Sequence, residues 1–331
     1  MITDASGQTN SWQQQLQNLI TDPRELAELL QIPLDALSPQ AAEQFPLRLP
    51  RAMLSKIEAG NIHDPILRQF LPAPSELVPA PGYSLDPLAE QDANPVPGLI
   101  HKYQGRVLLT AAGHCAVNCR YCFRRHFNYS DNRLSGHYFQ AVLDYINSDS
   151  SINEVIFSGG DPLVVSNRQV QEWITALEAI SHINRIRIHS RVPVVIPERL
   201  DAQLAELLTQ SRLQAVLVIH SNHPKELDAD LTQALGRLRS GGVHLLNQSV
   251  LLKGVNDNAD TLINLSNRLF EMGVLPYYLH LLDPVAGAAN FFVDDKEALN
   301  LHKQLLAALP GYLVPKLVRE LAHEPSKTWV Y

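Results

Sequence analysis

Between residues 107 and 309 the sequence runs through one pattern six times: a short apolar stretch, a loop, then a longer stretch with apolar residues at helical spacing. The spacing predicts strands over 107–111, 154–157, 185–189, 213–220, 244–251 and 275–281. Helices are expected over 138–146, 170–180, 200–208, 227–239, 260–271 and 296–309. Strand–helix units in series lay their strands parallel, with the helices on the outer face. The expected fold class is therefore α/β, a barrel or incomplete barrel of (β/α)6 type. No G-x-G-x-x-G follows any of these strands, which argues against a dinucleotide-binding sheet. The polar loops all follow strands, on the face where parallel barrels assemble their sites.

The first of these loops holds all three cysteines of the chain, Cys115, Cys119 and Cys122, in the spacing C-x3-C-x2-C. Three thiolates in one loop suit three irons of a [4Fe–4S] cluster and leave the fourth iron for an outside ligand. A zinc site completed by His114 and a set of inert thiols are the alternatives, but structural zinc usually draws on two separated ligand pairs. A disulfide would leave one thiol over, and nothing in the sequence suggests export. The spacing, with Tyr121 just before the last cysteine, resembles the signature of radical S-adenosylmethionine (SAM) enzymes.

Ser158-Gly159-Gly160-Asp161-Pro162 follows the second strand and resembles the glycine-rich SAM-contacting motif of those enzymes. Its glycines allow close backbone approach, though the same residues also make an ordinary tight turn. His220 ends the fourth strand and Gln248 lies in the fifth; each is a candidate SAM contact or a hydrogen-bonded structural residue.

Upstream, apolar residues at helical spacing (Trp12, Leu16, Leu19, Ile20, then Leu26, Leu29 and Leu30) predict an N-terminal helical extension over 1–70, with a last helix over 51–59 ended by Gly60. Residues 71–100 carry seven prolines and read as a wrapping segment in which Leu77, Val78, Tyr83, Leu85 and Leu88 can pack. The barrel then covers 101–310 and a C-terminal segment 311–331. A net charge of −7 argues against a general nucleic-acid surface. No secretory pattern or bilayer-long apolar run is present, so a cytoplasmic protein with no membrane partner is expected.

From residue 98 to 331 the sequence is similar to the lysine 2,3-aminomutase family. The resemblance rests on Gly98-Leu99-Ile100-His101-Lys102-Tyr103, the cysteine loop with Arg124-Arg125, and Ile156-Phe157-Ser158-Gly159-Gly160-Asp161-Pro162. It continues through Ile188-His189-Ser190-Arg191, Asn222-His223-Pro224, Asn247-Gln248-Ser249-Val250-Leu251-Leu252, Pro276-Tyr277-Tyr278 and Gly311-Tyr312-Leu313-Val314-Pro315. It implies a partial radical SAM barrel and an isomerase that moves an amino group from C2 to C3 of lysine. The cofactors implied are a [4Fe–4S] cluster, SAM and pyridoxal phosphate (PLP).

The family frame also implies roles. Lys327, and not nearby Lys316, falls where a lysine bonds to the aldehyde of PLP; Glu324-Pro325-Ser326 stands there in place of a glycine run. Arg124 matches an arginine that holds the substrate carboxylate, a task suited to a guanidinium fork. Asp283 and Glu320, the latter where the family has Asp, match the acids that receive the substrate's ε-ammonium group. Lys102, Tyr103 and Arg106 are PLP phosphate or ring contacts, or basic surface residues.

A short C-terminal segment with no further cysteines resembles the bacterial branch that supplies (R)-β-lysine for modifying elongation factor P. Expected partners are free lysine, an electron donor such as flavodoxin, and the ligase that attaches the product. The alternatives are a related aminomutase acting on another amino acid, such as glutamate, and a metal-cluster binding protein without turnover.

Overall fold

The computed structural model describes residues 11–132, 134 and 136–331. Among them nine strands form one sheet in chain order. They are β1 (Leu99–Tyr103), β2 (Arg106–Ala112), β3 (Glu154–Gly159), β4 (Arg185–Ser190), β5 (Gln214–His220), β6 (His244–Val250), β7 (Leu275–His280), β8 (Lys316–Arg319) and β9 (Thr328–Trp329). Strands β2 to β8 are parallel, and β1 and β9 close the two edges antiparallel, so the sheet is an open, partial barrel.

Six of the parallel strands are each followed by a helix, as the pattern predicts. The N-terminal layer holds α1 (Trp12–Gln17), α2 (Pro23–Leu30) and α3 (Pro39–Gln44), and the barrel holds α4 (Gly136–Ser148), α5 (Asn167–Glu178), the single turn α6 (Val192–Val195), α7 (Ala202–Gln210), α8 (Ala229–Ser240), α9 (Ala259–Glu271) and α10 (Asp295–Ala308). The starts of five barrel helices are written into the sequence. Ser166, Asp201, Asp228, Asn258 and Asp294 each accept a hydrogen bond from a backbone N–H in the first turn. Strand alternation sorts the two faces of the sheet. On β4, Ile186 and Ile188 are buried in the core, while Arg187 and His189 line the barrel's interior cavity.

Parts of the fold differ from expectation. β1, β8 and β9 are too short or too polar to show a strand period, and β8 adds a seventh parallel strand after the sixth helix. Residues 51–59 do not form an α-helix: Arg51–Lys56 winds as a 3-10 helix, and Gly60 then takes φ +76°. Lys56 ties this segment down by donating to the carbonyls of Val194 and Glu226. In the proline-rich segment Val78 and Leu85 are exposed, as is Leu29 of α2. Leu88 is buried as expected, and the segment also buries two acids, Glu76 and Glu90. No helix among the described residues is long and apolar enough to cross a membrane.

Candidate active site

The loops after the parallel strands surround a cavity of about 860 Å³ that continues down into the barrel. It is lined by Cys115, Cys119, Cys122, Tyr121 and Arg124 from the first loop, and by Lys102, Tyr103 and Arg106 from the β1–β2 hairpin. Ser158, Gly159, Gly160, Asp161, His220, Gln248, Asp283, Glu320 and Lys327 complete the set proposed from sequence. Lys316 stands apart, with its ammonium 5.9 Å from the Tyr277 ring and 5.3 Å from that of Trp329.

The cysteine loop is shaped by backbone contacts with the N-terminal layer. Arg120 N donates to Gln69 O, Asn118 N to Arg48 O, and the Arg48 side chain to Cys115 O. Burial pushes all three thiols up, Cys122 to about 11, and the neighbouring cysteines add to this at Cys115 and Cys122. Metal binding would displace those protons. Among the described residues no three His, Cys, Asp or Glu side chains converge tightly enough to hold a single ion. A cluster presents its irons at separate corners, so three spread thiols in one loop suit it.

The two glycines serve the loop directly. A methyl on Gly160 would lie 2.4 Å from His114 O, and Gly159, at φ +102°, packs its α-carbon against Thr110. Asp161 is buried and accepts from Ser190 Oγ and from the backbone of Leu163, Arg191 and Val192. Its carboxylate thus locks two loops together, and what it presents to the cavity is main chain.

Tyr121 anchors a polar floor. Arg191 and Asn222 both donate to its hydroxyl, so its own proton goes to an acceptor, and His220 Nε2 lies at 2.8 Å. Burial holds His220 well below the usual histidine range, consistent with a neutral ring.

Opposite the cysteines runs a row of alternating charges. Arg124 donates to both oxygens of Glu90 at 2.6 and 2.8 Å. Lys102 lies 3.2 Å from Glu90 and 3.0 Å from Glu320, and Lys327 lies 2.5 Å from Glu320. Burial opposes the charge on Glu90 and Glu320, but their cationic neighbours win and hold both below the usual carboxylate range. Asp283 is the opposite case. Among the described residues no donor reaches its carboxylate, and burial, with Glu320 nearby, raises it to about 7.

Lys102 is thereby committed to two carboxylates. Other cations lining the cavity include Arg106, stacked 4.7 Å over the Tyr103 ring, and Arg187, which reaches Glu154 at 2.9 Å. His189 and His280 also line the cavity, and His189 Nε2 is buried with no partner among the described residues. Of these, Arg187 and His189 could have been found from the alternation of the third predicted strand. Glu90 carried no signal, since an acid in a proline-rich stretch reads as surface.

The comparisons agree with this geometry. Residues 104–210 match the model of a 4Fe-4S single cluster domain. The chain is 51% identical to the L-lysine 2,3-aminomutase of Escherichia coli, covering 99% of this chain and 96% of that one. It is 50% identical to that of Haemophilus influenzae, covering 96% and 95%, and 35% identical to that of Clostridium subterminale, covering 96% and 77%. An open parallel barrel with a three-cysteine cluster loop after its first parallel strand defines a radical SAM enzyme. Within that class the chain belongs to the lysine 2,3-aminomutase family, whose members use PLP as well as the cluster and SAM.

The donor set fits all three groups: three half-buried thiols for the cluster, open backbone at Ser158 and Gly159 for SAM, and Lys327 with Arg106 and Arg187 for an aldehyde bearing a phosphate.

Proposed function

We propose that this chain isomerises free L-lysine to β-lysine, with Cys115, Cys119 and Cys122 holding the cluster and Lys327 bonding to PLP. The observation that carries the reading is a buried cation and an unpartnered, half-buried carboxylate in the lining of one cavity. Arg124 offers a fixed cation, and Asp283 is a carboxylate without a partner among the described residues. A ligand that satisfies both has an α-carboxylate at one end and a cation at the other, which is lysine's outline. Glutamate would bring a second anion to Asp283 and Glu320 and is disfavoured on the same grounds.

When bound, the cofactors supply the radical and the electron sink on which the amino group can shift. The chain's own part is to bind, orient and exclude water. Arg124 fixes the carboxylate end, while Asp283 and Glu320 receive the ε-ammonium, which at Glu320 would exchange one cation for another. Arg106 and Arg187 hold the phosphate, with Tyr103 against the ring. Ser158, Gly159, Gly160, Asp161, Tyr121, His220 and Gln248 surround SAM beside the cysteines. Neutral His220 accepts from Tyr121 at Nε2, which leaves Nδ1–H as its donor.

The free amino acid is the preferred form, since a lysine joined to a protein through its carboxyl group would leave Arg124 unmatched. Conversion therefore precedes attachment, and β-lysine passes to a ligase that loads elongation factor P, with a flavodoxin-type donor and a cytoplasmic setting. The test is anaerobic incubation with SAM, PLP, reductant and L-lysine, followed by separation of α- from β-lysine. Formation of β-lysine is expected; 5′-deoxyadenosine without β-lysine would reject lysine as the substrate.

A further inference from the structure

We propose that Glu90 is a positioning residue for substrate recognition, holding Arg124 so that one face of its guanidinium is reserved for the substrate carboxylate; this rests on the reading of Arg124 given above. Glu90 takes Nε and Nη2 of Arg124, and Nη1 donates to Ser158 Oγ at 3.1 Å. A guanidinium has five N–H donors. Three are thus used, and the two that remain belong to the terminal nitrogens, which form the end-on fork. That fork can grip a second carboxylate while the first stays in place.

The local backbone is built for this placement. Ala89, directly before Glu90, lies in the left-handed region at φ +47°, which a non-glycine residue adopts only when its surroundings impose it. The Glu90 N–H donates to Asp86 Oδ1 and fixes the turn. Both Glu90 and Arg124 are more than nine-tenths buried, so their ion pair is shielded from bulk solvent. Glu90 also contacts Lys102, the next member of the row that ends at Lys327. The proline-rich segment therefore contributes a working part of the site.

The experiment compares L-lysine with 1,5-diaminopentane, which keeps both amines and lacks the carboxylate. In Glu90→Gln the lysine KM should rise about tenfold or more, as expected when a charged hydrogen-bond fork loses its alignment. The inhibition constant of 1,5-diaminopentane should stay within about twofold, because that ligand never meets Arg124. Glu90→Asp, which restores the charge, should recover part of the loss. Iron content and the absorbance of the PLP–lysine bond report whether the rest of the site is intact.

Equal losses for both ligands would mean a merely structural role and overturn the proposal. So would a lower lysine KM, which would make Glu90 a competitor of the substrate. Arg124→Ala separates the two readings. If it abolishes the preference for lysine and Glu90→Gln does not, only the role of Glu90 fails; if it leaves the preference intact, the reading of Arg124 fails first.

Discussion

Asp283 shows how much one buried carboxyl can dictate. Its proton leaves near pH 7, whereas a lysine side chain stays cationic to about pH 10. Binding of an ε-ammonium needs the ionised form, so lysine affinity should weaken about tenfold per unit as pH falls below 7 and level off above it. Asp283→Asn should flatten that profile, which KM measured from pH 6 to 8 would reveal. The same raised value makes the apo protein less stable as pH rises from the ordinary aspartate range through 7, because the unfolded chain gives up that proton more readily. The two C-terminal lysines make a second contrast. Lys327 lies in the cavity against Glu320, and Lys316, which is not part of the lining, approaches the Tyr277 and Trp329 rings. Borohydride reduction of the PLP-loaded enzyme followed by peptide mapping should label Lys327; label on Lys316 would reverse the assignment.

At the level of elements, the end of β3 and the cysteine loop form one unit. Gly160 N donates to Ala112 O, and Asp161 N donates to His114 O. Because a side chain at Gly160 would collide with main chain, Gly160→Ala should cost about 1–3 kcal/mol and misplace the loop. Bound iron per chain should fall at least several-fold while far-UV circular dichroism stays near that of the parent. This coupling was only half legible in the sequence. The glycines stood out as a place where backbone comes close to something, but what comes close is 40-odd residues away and invisible to local pattern. The six βα units were readable because each rests on a periodic helix, five of them with a polar cap at the start. β1 and β9 gave no period, since edge strands of a few residues owe their form to the neighbour they pair with. Glu90 was missed for a related reason: an acid in a proline-rich stretch reads as surface until a fold supplies the buried opposite charge.

For the molecule as a whole, the N-terminal layer and the proline-rich segment are fastened to the cysteine loop, the latter by charge. Glu76 accepts from both Arg120 and Arg125, all three well buried, and Arg120 also donates to the carbonyls of Ala41 and Phe45. Removing the shared acid strands two cations, so Glu76→Ala should destabilise the protein by about 3–5 kcal/mol. A shifted urea midpoint, with earlier loss of cluster absorbance than of helix signal, is the expected result. The row from Arg124 to Lys327 has a consequence of a different kind. Its first member sits two residues beyond Cys122 and its last is Lys327, the lysine proposed to meet the aldehyde, with each link set by an ion-pair distance. On the proposed assignment, the separation between the place where a radical would be released and the place where an amine would be held is spanned by ion pairs, an internal ruler in place of a flexible link.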